Sequence, residues 1–230
     1  MDDPKSLSLA LPDGSTVSAL LQVPKDARAL YVFAHGAGAG MQHAGMSSLA
    51  DALAAVDVAT LRYQFPYMER GSKRVDSPAV AHAAVRTAVA EARRRLPALP
   101  LFAGGRSYGG RMTSQAQAIS PLDGVRGIAF VAFPLHPAGA PAVERAQHLA
   151  DVAVPMLFLQ GTRDKLAELH LLRPVVETLG ARATLHLVDD ADHSFHVRAS
   201  SGRTDADVVL ELARRMSEWF FAEAELVRAN

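Results

Sequence analysis

The sequence contains no cysteine, which excludes a disulfide framework, a thiolate nucleophile and a zinc ion held by thiolates, and which suits a reducing compartment. It carries no net charge, since 24 Lys and Arg balance 24 Asp and Glu. No long-range field is left to draw in nucleic acid or an anionic membrane surface, so neither is expected as a partner. Nowhere do the roughly 18 consecutive apolar residues needed to cross a bilayer occur. The opening stretch MDDPKSLSLALPDG is acidic and lacks a basic segment followed by an apolar one. The expectation is a soluble, cytoplasmic protein.

What is present is a chain of 230 residues, 49% hydrophobic and 21% charged, a balance that supports one domain spanning 1–230 with a sizeable core. Residues 5–23 alternate polar and apolar on both sides of a Pro-Asp-Gly turn, the pattern of a half-buried antiparallel hairpin. Stretches 29–35, 58–65, 99–105, 125–133, 155–161 and 183–190 are short and almost continuously apolar, as strands covered on both faces must be. Between them, apolar residues recur three and four apart over 45–56, 78–95, 108–119, 142–152, 167–179 and 205–228, which predicts helices. Alternating strands and helices require right-handed crossovers and a mostly parallel α/β sheet with helices on both faces. The antiparallel hairpin lies at one edge, and the span from Pro134 to Pro155 has room for one loop and one helix but no large lid. The polar loop 67–78, with Arg70, Lys73 and Arg74, is the longest and is expected to be mobile and solvated.

Gly105-Arg106-Ser107-Tyr108-Gly109 fits G-x-S-x-G at a strand-to-helix turn. There a strained serine is lifted off the sheet, small residues are needed two positions either side, and the helix N-terminus favours an anion. A serine hydroxyl near neutral pH needs a base, and the base needs a carboxylate to orient it. Asp164 follows one later strand and His193 the last, in the chain order Ser, Asp, His and at the strand ends where open α/β sheets gather their sites. Asp189, Asp190 and Asp192 are too close to His193 in sequence to reach its Nδ1 while Nε2 faces the serine. His196, three residues after His193, could suggest a metal pair, but no third ligand with suitable spacing accompanies it, so no metal is expected and His196 is assigned to the surface or to a supporting role; His186 is assigned to structure. His35-Gly36-Ala37-Gly38 follows a buried strand and supplies a loop for a second oxyanion donor. The amides of Tyr108 and Ala37 are the expected pair, with Gly38 the alternative to Ala37.

The stretches AHGAGAGMQH, FPYME, GGRSYGGRM and FPLHPAGAP resemble a small lidless group of the α/β-hydrolase family. That group is similar to dienelactone hydrolases and includes the testis-expressed hydrolase-like proteins and a subunit of a histone-acetylating complex. The resemblance implies the α/β-hydrolase fold, Ser107, Asp164 and His193 as the triad, and carboxylesterase activity. It does not carry dienelactone hydrolysis itself, which uses a cysteine. The sequence predicts a serine hydrolase acting on a small-molecule ester without a cofactor. Met41, Phe65, Tyr67, Met68, Leu135, His136 and Phe195 lie in loops expected to ring the serine as a pocket, although each could equally pack beneath its loop. A thioesterase, acyltransferase or peptidase would use the same residues, and a non-catalytic interaction protein could keep the fold. Trp219, Phe220 and Phe221 point in too many directions for one core stripe; burial under the N-terminal hairpin is the simpler account, a partner surface the other, and the sequence leaves the oligomeric state open.

Overall fold

A computed structural model describes residues 3–229. Eight strands form one sheet: β1 Lys5–Ala10, β2 Thr16–Gln22, β3 Ala29–Ala34, β4 Val58–Tyr63, β5 Leu101–Arg106, β6 Val125–Val131, β7 Met156–Gly161 and β8 Ala183–Val188. Their order is β1-β2-β4-β3-β5-β6-β7-β8. The pairs β1/β2 and β2/β4 are antiparallel, and every pairing from β4 to β8 is parallel. The continuously apolar stretches at β3, β4 and β7 are wholly buried. β8 is only half-buried because it is an edge strand, which departs from the two-face burial its sequence suggests.

Six helices cover the sheet: α1 Ala44–Ala54, α2 Pro66–Glu69, α3 Pro78–Arg95, α4 Tyr108–Ile119, α5 Leu169–Leu179 and α6 Asp205–Ala229. α1 and α6 pack on one face, where Leu49, Leu53, Met216 and Phe220 meet Tyr31, Phe33 and Phe102. α3 and α4 cover the other face, where the hairpin's Leu9, Val17 and Ala19 pack beneath them, and α5 continues that layer over β6 and β7. Local chemistry sets several helix starts. Pro78 opens α3 with its φ already helical and no N–H to satisfy. Thr204 and Asp207 exchange hydrogen bonds as a capping box for α6, with Thr204 N–H donating to Asp207 Oδ2 at 2.8 Å and Asp207 N–H to Thr204 Oγ1 at 3.2 Å.

Three further expectations change. Residues 144–151 form a 3-10 helix rather than an α-helix; the buried residues Ala146, Leu149 and Val152 recur every third position, the period of the tighter helix. The loop 67–78 is not uniformly free. Its start belongs to α2, whose Tyr67 N–H donates to Asp76 Oδ2 at 2.6 Å, while Arg70 pairs with Asp76 Oδ1 at 2.5 Å. The aromatic run of α6 is not buried under the hairpin, which packs with α3 on the opposite face. Phe220 stacks on Phe102 at 4.5 Å, Trp219 leans on the same ring at 5.7 Å, and Phe221 carries the Arg28 guanidinium 3.9 Å above its ring. Among the described residues no helix is long and apolar enough to cross a membrane.

Candidate active site

β5 leads into α4 through one residue, Ser107, with φ 49° and ψ −115°. A left-handed φ on a residue with a side chain costs on the order of 1–3 kcal/mol, and the surroundings must hold it. Here the Ser107 N–H donates to Val131 O at 2.9 Å, tying the turn to the end of β6. The flanking glycines let the turn sit tight against the end of β3. A Cβ on Gly105 would stand 2.5 Å from Ala34 O, and one on Gly109 would stand 2.5 Å from His35 O, separations that atoms do not tolerate.

The turn presents the Ser107 hydroxyl to the loop after β8. His193 Nε2 lies 2.8 Å from Ser107 Oγ, and His193 Nδ1 lies 2.7 Å from Asp164 Oδ2. The Asp164 side chain has no exposed surface, whereas His193 keeps 24% of its own. Because the ionised carboxylate only accepts, the proton belongs on Nδ1 and Nε2 is free to accept from the serine. Asp164 is itself held by Gln160 Nε2–H at 2.5 Å on Oδ2 and by Leu166 N–H at 2.8 Å on Oδ1. The His193 loop is stapled internally. Asp192 Oδ1 accepts from the amides of Ser194 at 2.7 Å and His196 at 3.1 Å, and Asp190 and Phe195 take positive φ. Asp192 is thus engaged within its own loop, and Asp190 is paired to Arg198.

The loop after β3 is anchored by His35. The Phe65 N–H donates to His35 Nε2 at 3.0 Å, which puts the ring proton on Nδ1, where it donates to Gly36 O at 2.7 Å. Burial pushes this imidazole down to about 4, so it stays neutral. In a trans peptide the carbonyl and N–H point oppositely, so pinning Gly36 O turns the Ala37 N–H away from the ring. The Tyr67 hydroxyl donates to Ala37 O at 2.9 Å and fixes the next peptide likewise. Among the described residues the Ala37 and Tyr108 amides have no backbone acceptor outside helices and strands, and Tyr108, as the first residue of α4, has none within its helix.

Residues 27–221 match the alpha/beta hydrolase domain family. The chain belongs to the α/β-hydrolase family. Similar solved folds include a lidless serine hydrolase from Xanthomonas campestris at 21% identity, covering 94% of this chain and 95% of that one with a TM-score of 0.71. A dienelactone hydrolase from Anabaena variabilis superposes with a TM-score of 0.76 at 20% identity, covering 96% and 99%. The esterase domain of a Rhodothermus marinus protein gives 0.71 at 16% identity, covering 95% and 98%.

The residues predicted to form a pocket in this α/β-hydrolase divide into three groups. Phe65, Tyr67 and His136 have no exposed surface, and neither has Leu135. The first two pack around His35 at ring distances of 4.9 and 6.0 Å, which makes them supports of the loop rather than its lining. His136 Nδ1 lies 2.9 Å from Pro137 O, and its Nε2 abuts a Glu168 oxygen at an angle that makes no aligned hydrogen bond. The His136 N–H donates to Leu166 O at 3.0 Å, so this residue ties its loop to the one bearing Asp164. Met41 and Met68 border a small depression of about 240 Å³ beside the hairpin. Phe195 alone of the seven borders the cavity of about 550 Å³ whose wall includes Arg106 and Ser194, the chain neighbours of Ser107 and His193. His186 bonds Glu211 at 2.6 Å on the edge strand, and the exposed His196 bonds Asp205 at 2.9 Å. Sequence reasoning missed His35 as an anchor, Gln160 as a carboxylate donor and Arg106 as a cavity wall. No motif marks an amide or imidazole at a strand end. Arg106 occupies the unspecified position of its motif.

Proposed function

We propose that the chain is a single-domain cytoplasmic serine hydrolase that cleaves small carboxylic esters through an acyl-enzyme. His193 accepts the proton of Ser107 Oγ as the hydroxyl attacks the ester carbonyl, and Asp164 holds the imidazole and balances its charge. The amides of Tyr108 and Ala37 receive the oxyanion. His193 then returns its proton to the departing alcohol, and water, activated by the same imidazole, releases the acid. This chemistry uses side chains, backbone amides and water.

The observation that carries the reading is the unbroken hydrogen-bonded chain from Ser107 through His193 to the buried Asp164, starting at a residue held at positive φ. A fluorophosphonate probe is expected to label the native protein at Ser107. Ser107→Ala should abolish labelling and lower ester turnover by about 10⁴-fold or more; an unlabelled native protein would refute the reading. With no inserted lid to desolvate a long chain, p-nitrophenyl esters should be turned over best at short acyl lengths. A profile rising from acetate to palmitate contradicts that.

A further inference from the structure

The middle of the nucleophile motif carries a charge that the proposed reaction does not use. Arg106 ends β5, and its side chain turns to the face covered by α1 and α6 rather than to solvent. It borders the cavity of about 550 Å³ between those helices, together with Gly45, Leu49, Val131, Phe195 and Val209. The guanidinium itself reaches that wall, because a Cβ built on Gly45 would lie 3.2 Å from Arg106 Nη1. Among the described residues the Arg106 guanidinium has no hydrogen-bond acceptor and no carboxylate within 4.0 Å. A half-buried guanidinium without a partner is costly, and proteins ordinarily pair it. The acids that feel its charge are Asp192 and Asp164, and both carboxylates are already engaged, Asp192 by two loop amides and Asp164 by His193, Gln160 and Leu166. Asp205, the acid on the cavity wall, is taken up by His196 and the Val197 amide. The remainder of the wall is mostly apolar.

An apolar cavity with one open guanidinium on its wall, next in sequence to the proposed nucleophile, suits a short hydrocarbon body ending in one negative charge. We propose that Arg106 binds a carboxylate of the substrate, making the preferred substrates esters that carry a free carboxylate, such as half-esters of dicarboxylic acids. This rests on the serine-hydrolase reading above and adds its substrate class. The competing role for Arg106, a distant counter-charge for the acids around His193, changes all esters alike.

The test compares mono-p-nitrophenyl esters of dicarboxylic acids, from glutaric to suberic, with uncharged monocarboxylic esters of equal chain length. At the chain length that reaches Arg106, kcat/KM for the charged ester should exceed that of its neutral partner by about ten- to a hundredfold, the effect of one charge-assisted hydrogen-bonded pair. In Arg106→Gln that ratio should collapse toward one, and Arg106→Lys should restore part of it. Both esters are read on the same preparation, so partial misfolding cancels in the ratio. Fluorophosphonate labelling with no charge preference at any length overturns the carboxylate site and leaves the hydrolase reading standing. Loss of the preference in neither variant reassigns it away from Arg106 and also overturns the proposal. An unlabelled, inactive native protein removes both.

Discussion

The Asp164 side chain has no exposed surface, and its two oxygens accept from His193, Gln160 and the Leu166 amide. The direction in which it holds the imidazole therefore depends on a residue four positions earlier that touches no substrate. Gln160 Oε1 also accepts from Phe133 N–H at 3.0 Å, so Gln160→Leu strips a donor from the carboxylate and leaves a buried amide unpaired. Turnover of p-nitrophenyl acetate should fall about tenfold. Chemical denaturation should show a loss of about 1–3 kcal/mol. Gly105→Ala is expected to cost about 2–4 kcal/mol in the same assay, because its methyl meets the Ala34 carbonyl on the next strand. That Ser107, Asp164 and His193 would meet was legible in the sequence because each sits where a strand must end, in an order that few other arrangements share. Gln160 and His35 were not, since their function lies in hydrogen bonds to main-chain groups distant in sequence.

At the scale of elements, the short helix α2 and the segment after it act as a strap between the hairpin and the loop after β3, which Tyr67 reaches through Ala37 O. Glu69 accepts from the Ser18 amide at 2.9 Å and the Ser18 hydroxyl at 2.8 Å, and Asp76 closes the strap from the other end. Asp76→Ala should free residues 70–77 and speed trypsin cleavage at Arg70, Lys73 and Arg74 severalfold, with little change in global stability; unchanged cleavage would show that the strap is held by other contacts. The polar composition that predicted a mobile loop was read correctly as exposed. Order within it came from one carboxylate bonding back to the chain, a tertiary effect that composition cannot carry. The strands were legible for a simpler reason: parallel strands buried on both faces have no polar face to interrupt the apolar run. The half-buried edge strand β8 has the same composition, so its sequence overstated its burial.

The whole molecule has a pH dependence set by where its histidines sit. Burial depresses His35 and His148 to about 4 in the folded protein, against about 6.5 for the free side chain. Between those values the unfolded chain binds more protons than the folded one, so stability falls as pH falls through this window. His196 works the other way. Asp205 raises it, so its contribution is present at low pH and lost as pH rises through the raised value; full exposure and solvent screening keep that small. Urea midpoints should therefore drop from pH 7 to pH 4.5, with His35 alone responsible for on the order of 2–3 kcal/mol, and His35→Gln should flatten the slope. The hydrogen bond from the Ser107 N–H to the Val131 carbonyl has a consequence for durability. The reactive turn is stitched into the middle of the sheet instead of riding on a loop that can melt by itself. On heating, the half-life of activity should then match the half-life of the fold, and the Ser107 amide should exchange its hydrogen only when the whole sheet opens.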